Sequence, residues 1–329
     1  MKPLKWGILG TGMIARKFAQ SLPESQSGTL ALTGSRTEDS AANFAQEFGG
    51  AGSSYQGVLD SPEVDAVYIA LPHHMHEEWT IKSARAGKAI LCEKPFTLDS
   101  PSAERALRAV KEEGVFFAEA FMYRFHPQID EMKQIIASGG IGKPVHVSTV
   151  FGFAADHPWA NFRGVNASGG GALMDVGCYC VSFAHLVAGV EPHRVSYAYA
   201  PTPERYDRIG GGILEFPNGL TADFRTAVHH NLGSLAEVWG DEGMIRLTTP
   251  WFGDDDLQIW NSKGTELKET RSQKGRGNPY ALEADAVSEF FNQKQAPQMP
   301  IADTLSIMKS LDRLRESAGF VFDPMEEQA

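Results

Sequence analysis

The chain has 329 residues, 42% of them hydrophobic and 22% charged, and a formal net charge of -11. That length exceeds what one hydrophobic core comfortably supports, so two domains are expected, with apolar material enough for a substrate cleft. The acidic balance, with no run of lysines or arginines to offset it, argues against nucleic acid and anionic membranes as partners.

From Leu4 to about Met122 short apolar runs alternate with helical stretches: KWGILG, a helix through Phe18, LALTGS, a helix around Asn43 to Phe48, and VDAVYIALP. A helix near Glu77 to Ala86 leads into KAILCEKP, and another near Pro101 to Glu113 leads into VFFAEAF. This is the rhythm of βαβ units and a parallel sheet, with strands apolar almost throughout. A linking helix is predicted from Pro127 to Ala137. Strands in hairpin succession follow: VHVSTVFGF, RVSYAYA, GGILEF, LTADFRTAV, AEVWG, MIRLTTP and LQIWNS, with turns at PNG, GDEG and NSKG. They imply an antiparallel sheet. Helices near Tyr280 to Asn292 and Ala302 to Ala318 close the chain.

Residues 10 to 15 read GTGMIA, after the strand KWGIL and before a helix with apolar Ile14, Phe18 and Leu22. That strand, turn and helix context is what a dinucleotide site requires. Gly10 permits the tight turn, Gly12 lets backbone approach a pyrophosphate at the positive helix end, and Ala15 allows close helix packing. The second strand ends TGSR, with Ser35 and Arg36 where an acid would bind the ribose hydroxyls of NAD. A hydroxyl and a guanidinium suit a 2′-phosphate, so NADP is preferred over NAD. The fold class is α/β: an N-terminal Rossmann doubly wound parallel sheet at 1–123, and a C-terminal α+β domain with a large, mostly antiparallel open sheet at 124–329.

CEKP at 92 to 95, ending a parallel strand, and SGGGALMDVGCYC at 168 to 180 add chemistry to this frame. Ligands of open parallel sheets bind beyond the carboxyl ends of strands, where Lys94 stands. Residues 172 to 186 carry a helical pattern with Asp175 and Tyr179 one turn apart, and Gly169 to Gly171 free the backbone before them. Together with GTGMIA, AGKAILCEKP, GGGALMDVGCY and EAFMYRFHP, the chain resembles the glucose-fructose oxidoreductase, inositol dehydrogenase and MocA (Gfo/Idh/MocA) family, in its dihydrodiol dehydrogenase-like branch. The tyrosine at 179, where many members carry histidine, points to that branch.

The resemblance implies hydride transfer between nicotinamide and a sugar, polyol or cyclic diol, with Lys94, Tyr179 and Asp175 catalytic. Tyr179 would exchange the hydroxyl proton. Lys94 would favour the phenolate and bind the substrate oxygen, and Asp175 would orient a substrate hydroxyl or Lys94. It assigns the cofactor to Gly10, Gly12, Met13, Ile14, Ala15, Ser35 and Arg36, with Leu71, Pro72, His73, His76, Glu93 and Lys94 nearer the nicotinamide. Arg124, Phe125, Trp159 and Arg163 are candidates for a hydroxylated ring. It also implies a homodimer or homotetramer through the C-terminal sheet.

His73, His74 and His76 follow a strand without a metal-binding spacing, so no metal is expected. Three cysteines, Cys92, Cys178 and Cys180, make no CxxC pair, and no disulfide framework is expected. The amino terminus lacks a secretory pattern and no run approaches ~18 continuous apolar residues, so no membrane span and a cytoplasmic location are expected. His229 and His230 receive no role. Three alternatives stay open: a non-catalytic NADP-sensing binding protein, an NAD-assisted glycoside hydrolase of the same fold, and an oxidoreductase that never releases NADP and passes hydride between two sugars.

Overall fold

The computed structural model describes residues 3–156, 159, 161–253 and 256–324. The chain divides into two units, Met1–Phe125 with Gly277–Leu305, and His126–Arg276 with Ser306–Ala329.

The first unit opens as β1 (Leu4–Leu9), α1 (Met13–Ser21), β2 (Gly28–Gly34), α2 (Glu38–Phe48), β3 (Ala51–Ser53) and α3 (Tyr55–Asp60). It continues as β4 (Ala66–Ile69), α4 (His76–Arg85), β5 (Ala89–Glu93), α5 (Ser100–Glu113) and β6 (Phe117–Ala120). The six strands are parallel in the order β3-β2-β1-β4-β5-β6. The order reverses between β1 and β4, which creates the crevice where such sheets bind ligands. Every residue of β4 and β5 is buried, as a strand covered on both faces requires. The helix starts are fixed locally: Thr37, Ser54 and Asp99 each accept a backbone N–H from the first turn of α2, α3 and α5.

The second unit starts with α6 (Pro127–Ala137) and β7 (Pro144–Ala154). A π-helical turn at Leu173–Gly177 then runs into α7 (Cys178–Ala188). Seven strands follow: β8 (Arg194–Pro201), β9 (Asp207–Glu215), β10 (Thr221–Ala227), β11 (His229–Gly240), β12 (Gly243–Leu247), β13 (Leu257–Asn261) and β14 (Leu267–Arg271). The sheet order is β14-β13-β12-β11-β7-β10-β9-β8. Its pairs are antiparallel except β7 with β10, which run parallel. That exception arises because the chain leaves β7, forms α7 and re-enters the sheet at its far edge.

The stretch Asn166–Ala188 has the length and mean hydropathy (1.4) of a membrane-crossing helix, although polar residues such as Asp175 and His185 interrupt its apolar run. Of its apolar window 89% is buried inside the protein, the setting of a core helix. α7 packs on β7 and β10, which explains why it is apolar around nearly its whole circumference.

α8 (Pro279–Glu289) belongs to the first unit, although the sequence reading placed it with the second. Asp285 accepts hydrogen bonds from Ser25 Oγ at 2.6 Å, Ser27 Oγ at 2.7 Å and Gln26 N at 2.9 Å, which tie α8 to the turn before β2. These bonds span some 260 positions and leave no local trace in the sequence. α9 (Ile301–Ser317) begins in the first unit and continues into the second.

Candidate active site

Gly10 has φ +115°, and a Cβ there would meet Ala70 O at 2.5 Å, so the turn after β1 needs glycine. Gly12, the N-cap of α1, is exposed, and a Cβ on it would meet nothing within 4 Å. No side chain caps α1 and no acid stands in its first turn. An uncapped helix start with positive potential and open space before it is a fitting cradle for a pyrophosphate. Met13 is 66% exposed, Ile14 half-buried, and Ala15 fully buried where α1 packs down. Beyond β2, the Ser35 N–H donates to Ser53 O at 3.0 Å, while Arg36 extends into solvent. These residues fit a dinucleotide.

β5 delivers Lys94 at the same carboxyl edge of the sheet, half-buried, followed by a cis peptide bond to Pro95. The flanking backbone is held from several sides. Lys94 N donates to Glu93 Oε2 at 3.3 Å and Phe96 N to Glu119 Oε1 at 2.9 Å. Burial pushes the Glu119 carboxyl up to about 8, against the pull of Thr304, Arg124 and Phe96 N. Leu71 and His73 are buried and Pro72 is half-buried on the turn after β4.

Two of the residues expected near the nicotinamide have side chains engaged within the unit. Glu93, 7% exposed, accepts a hydrogen bond from the Tyr68 hydroxyl on Oε1, so its carboxylate is committed inside the unit. His76 is 0% exposed, and its ring faces backbone oxygens of Leu71, Pro95 and Phe96 rather than a ligand space. Arg124 and Phe125, expected near a substrate ring, are also buried. Arg124 is 1% exposed and its Nη1 donates to Asp303 Oδ2 at 2.6 Å, since a buried guanidinium requires a counter-charge; Phe125 is 7% exposed.

In the second unit, Gly171 has φ +108°, and any side chain there would collide with Asp207 Oδ1. Asp207 is fully buried; its Oδ2 accepts from Leu173 N at 2.7 Å and from the Tyr197 hydroxyl at 2.6 Å. It thereby caps the π-helical turn that leads to Tyr179, while burial drives its own pKa up to about 7. Asp175 lies in that turn and is 5% exposed, with Arg163 Nε donating to its Oδ1 at 2.9 Å. Asp175 is thus held by Arg163, a partner the sequence reading did not foresee.

Tyr179 is 5% exposed in an aromatic wall. Its ring centroid lies 5.3 Å from Phe151 and 5.6 Å from Trp251, while Phe252, 37% exposed, stands edge-on to Phe151 at 6.1 Å. Trp159 packs edge-on against Phe153 and His229, and the Arg163 guanidinium lies over Phe162 at 4.8 Å. The His229 ring spans Tyr206 Oη and Ala155 O, both at 2.8 Å. Phe151, Trp251 and Asp207 went unnoticed in the sequence. Phe151 sits in an alternating strand like any core residue, and Asp207 carries no motif. Among the described residues no group of three His, Cys, Asp or Glu side chains is placed to hold a metal.

Residues 4–121 match the model of an oxidoreductase family with an NAD-binding Rossmann fold (GFO_IDH_MocA), and residues 129–246 match the GFO/IDH/MocA C-terminal domain. The chain is 30% identical to a trans-1,2-dihydrobenzene-1,2-diol dehydrogenase of Mus musculus, over 97% of this chain and 98% of that one. It is also 30% identical to a D-xylose 1-dehydrogenase (NADP(+)) of Haloferax volcanii, over 96% and 97%. A 3-ketoreductase of Actinomadura kijaniata, solved with NADP and TDP-benzene, superposes with a TM-score of 0.87 at 26% identity, covering 96% of this chain and 98% of its own. That ketoreductase has also been solved with a lysine replaced by alanine and with a tyrosine replaced by phenylalanine. The chain therefore belongs to the Gfo/Idh/MocA family and is an NAD(P)-binding oxidoreductase.

Proposed function

We propose that the protein uses NADP to move a hydride between nicotinamide and a carbon bearing a hydroxyl or carbonyl group in a sugar, polyol or cyclic diol. The observation that carries this reading is the shared sheet edge of the first unit: a dinucleotide turn after β1 and an ammonium, Lys94, after β5. The preference for NADP rests on the exposed Arg36 and the missing acid at the end of β2.

NADPH supplies or NADP accepts the hydride. The protein's part is the proton and the charge. In reduction the Tyr179 hydroxyl gives its proton to the substrate oxygen as the carbonyl becomes an alcohol; in oxidation it takes that proton back. A phenol, with an ordinary pKa of about 10, is a poor base near neutrality; the Lys94 ammonium stabilises alkoxide charge on the substrate. Asp175, oriented by Arg163, serves a substrate hydroxyl. The aromatic wall around Tyr179 suits the apolar face of a ring whose edges carry hydroxyls. The diol and sugar substrates in the relatives' names agree with that combination, and lysine and tyrosine are the residue types substituted in the ketoreductase. We further propose self-association into a dimer or tetramer through the sheet of the second unit, to be measured by light scattering.

The test is a fluorescence-quenching titration of NADPH against NADH, followed by turnover on a panel of aldoses, cyclic polyols and trans-dihydrodiols. NADPH bound more tightly, with turnover on a panel member, is the expected result. Tighter NADH binding overturns the Arg36 argument; cofactor binding without turnover on any panel member favours a sensor.

A further inference from the structure

His76 joins two loops of the first unit, and the reaction proposed above makes no use of it. Its Nε2 lies 2.8 Å from Leu71 O, in the turn after β4; its Nδ1 lies 3.1 Å from both Pro95 O and Phe96 O, in the loop that carries Lys94. All three neighbours are carbonyl oxygens, which only accept hydrogen bonds. Burial holds the imidazole neutral by pushing its pKa down to about 4, against the upward pull of those carbonyls and with a small further push from His74. The His73 ring stands edge-on at 5.8 Å. A neutral ring has one N–H, so a single tautomer serves either Leu71 or the Pro95–Phe96 pair. The lysine loop is otherwise pinned, through Glu119 at Phe96 N and Glu93 at Lys94 N, so its carbonyls stay presented to the ring.

We infer that His76 is a positioning residue whose one ring proton is shared between the Leu71 turn and the Lys94 loop, coupling the cofactor-side turn to the orientation of the lysine. This rests on the roles proposed above for that turn and for Lys94. With the proton on Nδ1 the lysine loop is held by a three-centre hydrogen bond; with it on Nε2 the Leu71 turn is held instead.

Asparagine and glutamine separate the two arms, because the Asn amide reaches roughly the place of Nδ1 and the Gln amide that of Nε2. His76→Asn is expected to keep kcat close to wild type and weaken NADPH binding about tenfold, the loss of one hydrogen bond. His76→Gln is expected to keep NADPH affinity and lower kcat about tenfold. Equal losses in both variants, or none in either, overturn the inference. Wild-type protein labelled with ¹⁵N-histidine supplies a readout free of folding defects and of turnover. The His76 nitrogens are expected to report a tautomer mixture that NADP shifts; one fixed tautomer indifferent to NADP overturns the inference. Full activity in Lys94→Ala would sink the catalytic reading while leaving that NADP-dependent shift in place, so the two failures are distinguishable.

Discussion

Arg36 stands exposed at the end of β2 in a chain that has no acid at that point. A charge-assisted hydrogen bond contributes about 1.5–3 kcal/mol, so Arg36→Ala is expected to weaken NADPH binding roughly 10- to 100-fold and to leave NADH binding unchanged. A quenching titration with each cofactor checks this, and parallel losses for both would remove Arg36 from 2′-phosphate recognition. Residue-scale legibility was uneven. GTGMIA and CEKP could be read because their chemistry demands particular residues at fixed spacing beside a strand. Arg124 could not, because an arginine among aromatics reads alike whether it meets substrate or, as here, is itself buried and paired with the partly exposed Asp303.

The glycine run and the helix behind it form one element, anchored by Asp207. Gly171→Ala forces a side chain into a left-handed conformation and against the Asp207 carboxylate. It is expected to lower stability by at least about 1–3 kcal/mol in urea unfolding and to reduce turnover by displacing Tyr179. Unchanged stability would mean that the turn relaxes without the carboxylate contact. The helix itself was visible from its apolar spacing, but its π-helical start was not, because nothing in LMDVG marks a wider turn. β3 was missed because AGS is three small residues, α3 because YQGVLD is only six residues long, and β14 because LKETR has no buried face, with four of its five residues exposed. The parallel βαβ rhythm, by contrast, was legible from strands buried on both faces.

Across the whole molecule, burial shapes the response to pH. Glu119 titrates at about 8 in the fold against 4.5 as an ordinary glutamate, and Asp207 at about 7 against 3.8. The folded state therefore holds protons that the unfolded chain releases; this stability is fully present below about pH 4 and is lost as pH rises through 7 to 8. His76 acts in the opposite sense, losing stability as pH falls from 6.5 through about 4. Glu119→Gln is expected to flatten the decline in unfolding free energy between pH 5 and 9, measured in urea. A slope equal to that of wild type would show that Glu119 is ionised throughout. The two-unit organisation followed from length and from the change of strand pattern near residue 124. The return of residues 277–305 to the first unit did not, because it depends on contacts such as Asp285 with Ser25 that only folding brings together.

The central claim, that Lys94 and Tyr179 carry the reaction, is tested most directly by single-turnover hydride transfer from bound NADPH. Wild type, Lys94→Ala and Tyr179→Phe would be compared with whichever panel substrate is turned over. Loss of a positioned proton donor costs about 10²- to 10⁴-fold, so both variants are expected to bind NADPH and to transfer hydride at least about 100-fold more slowly. Transfer at the wild-type rate in either variant would contradict the account.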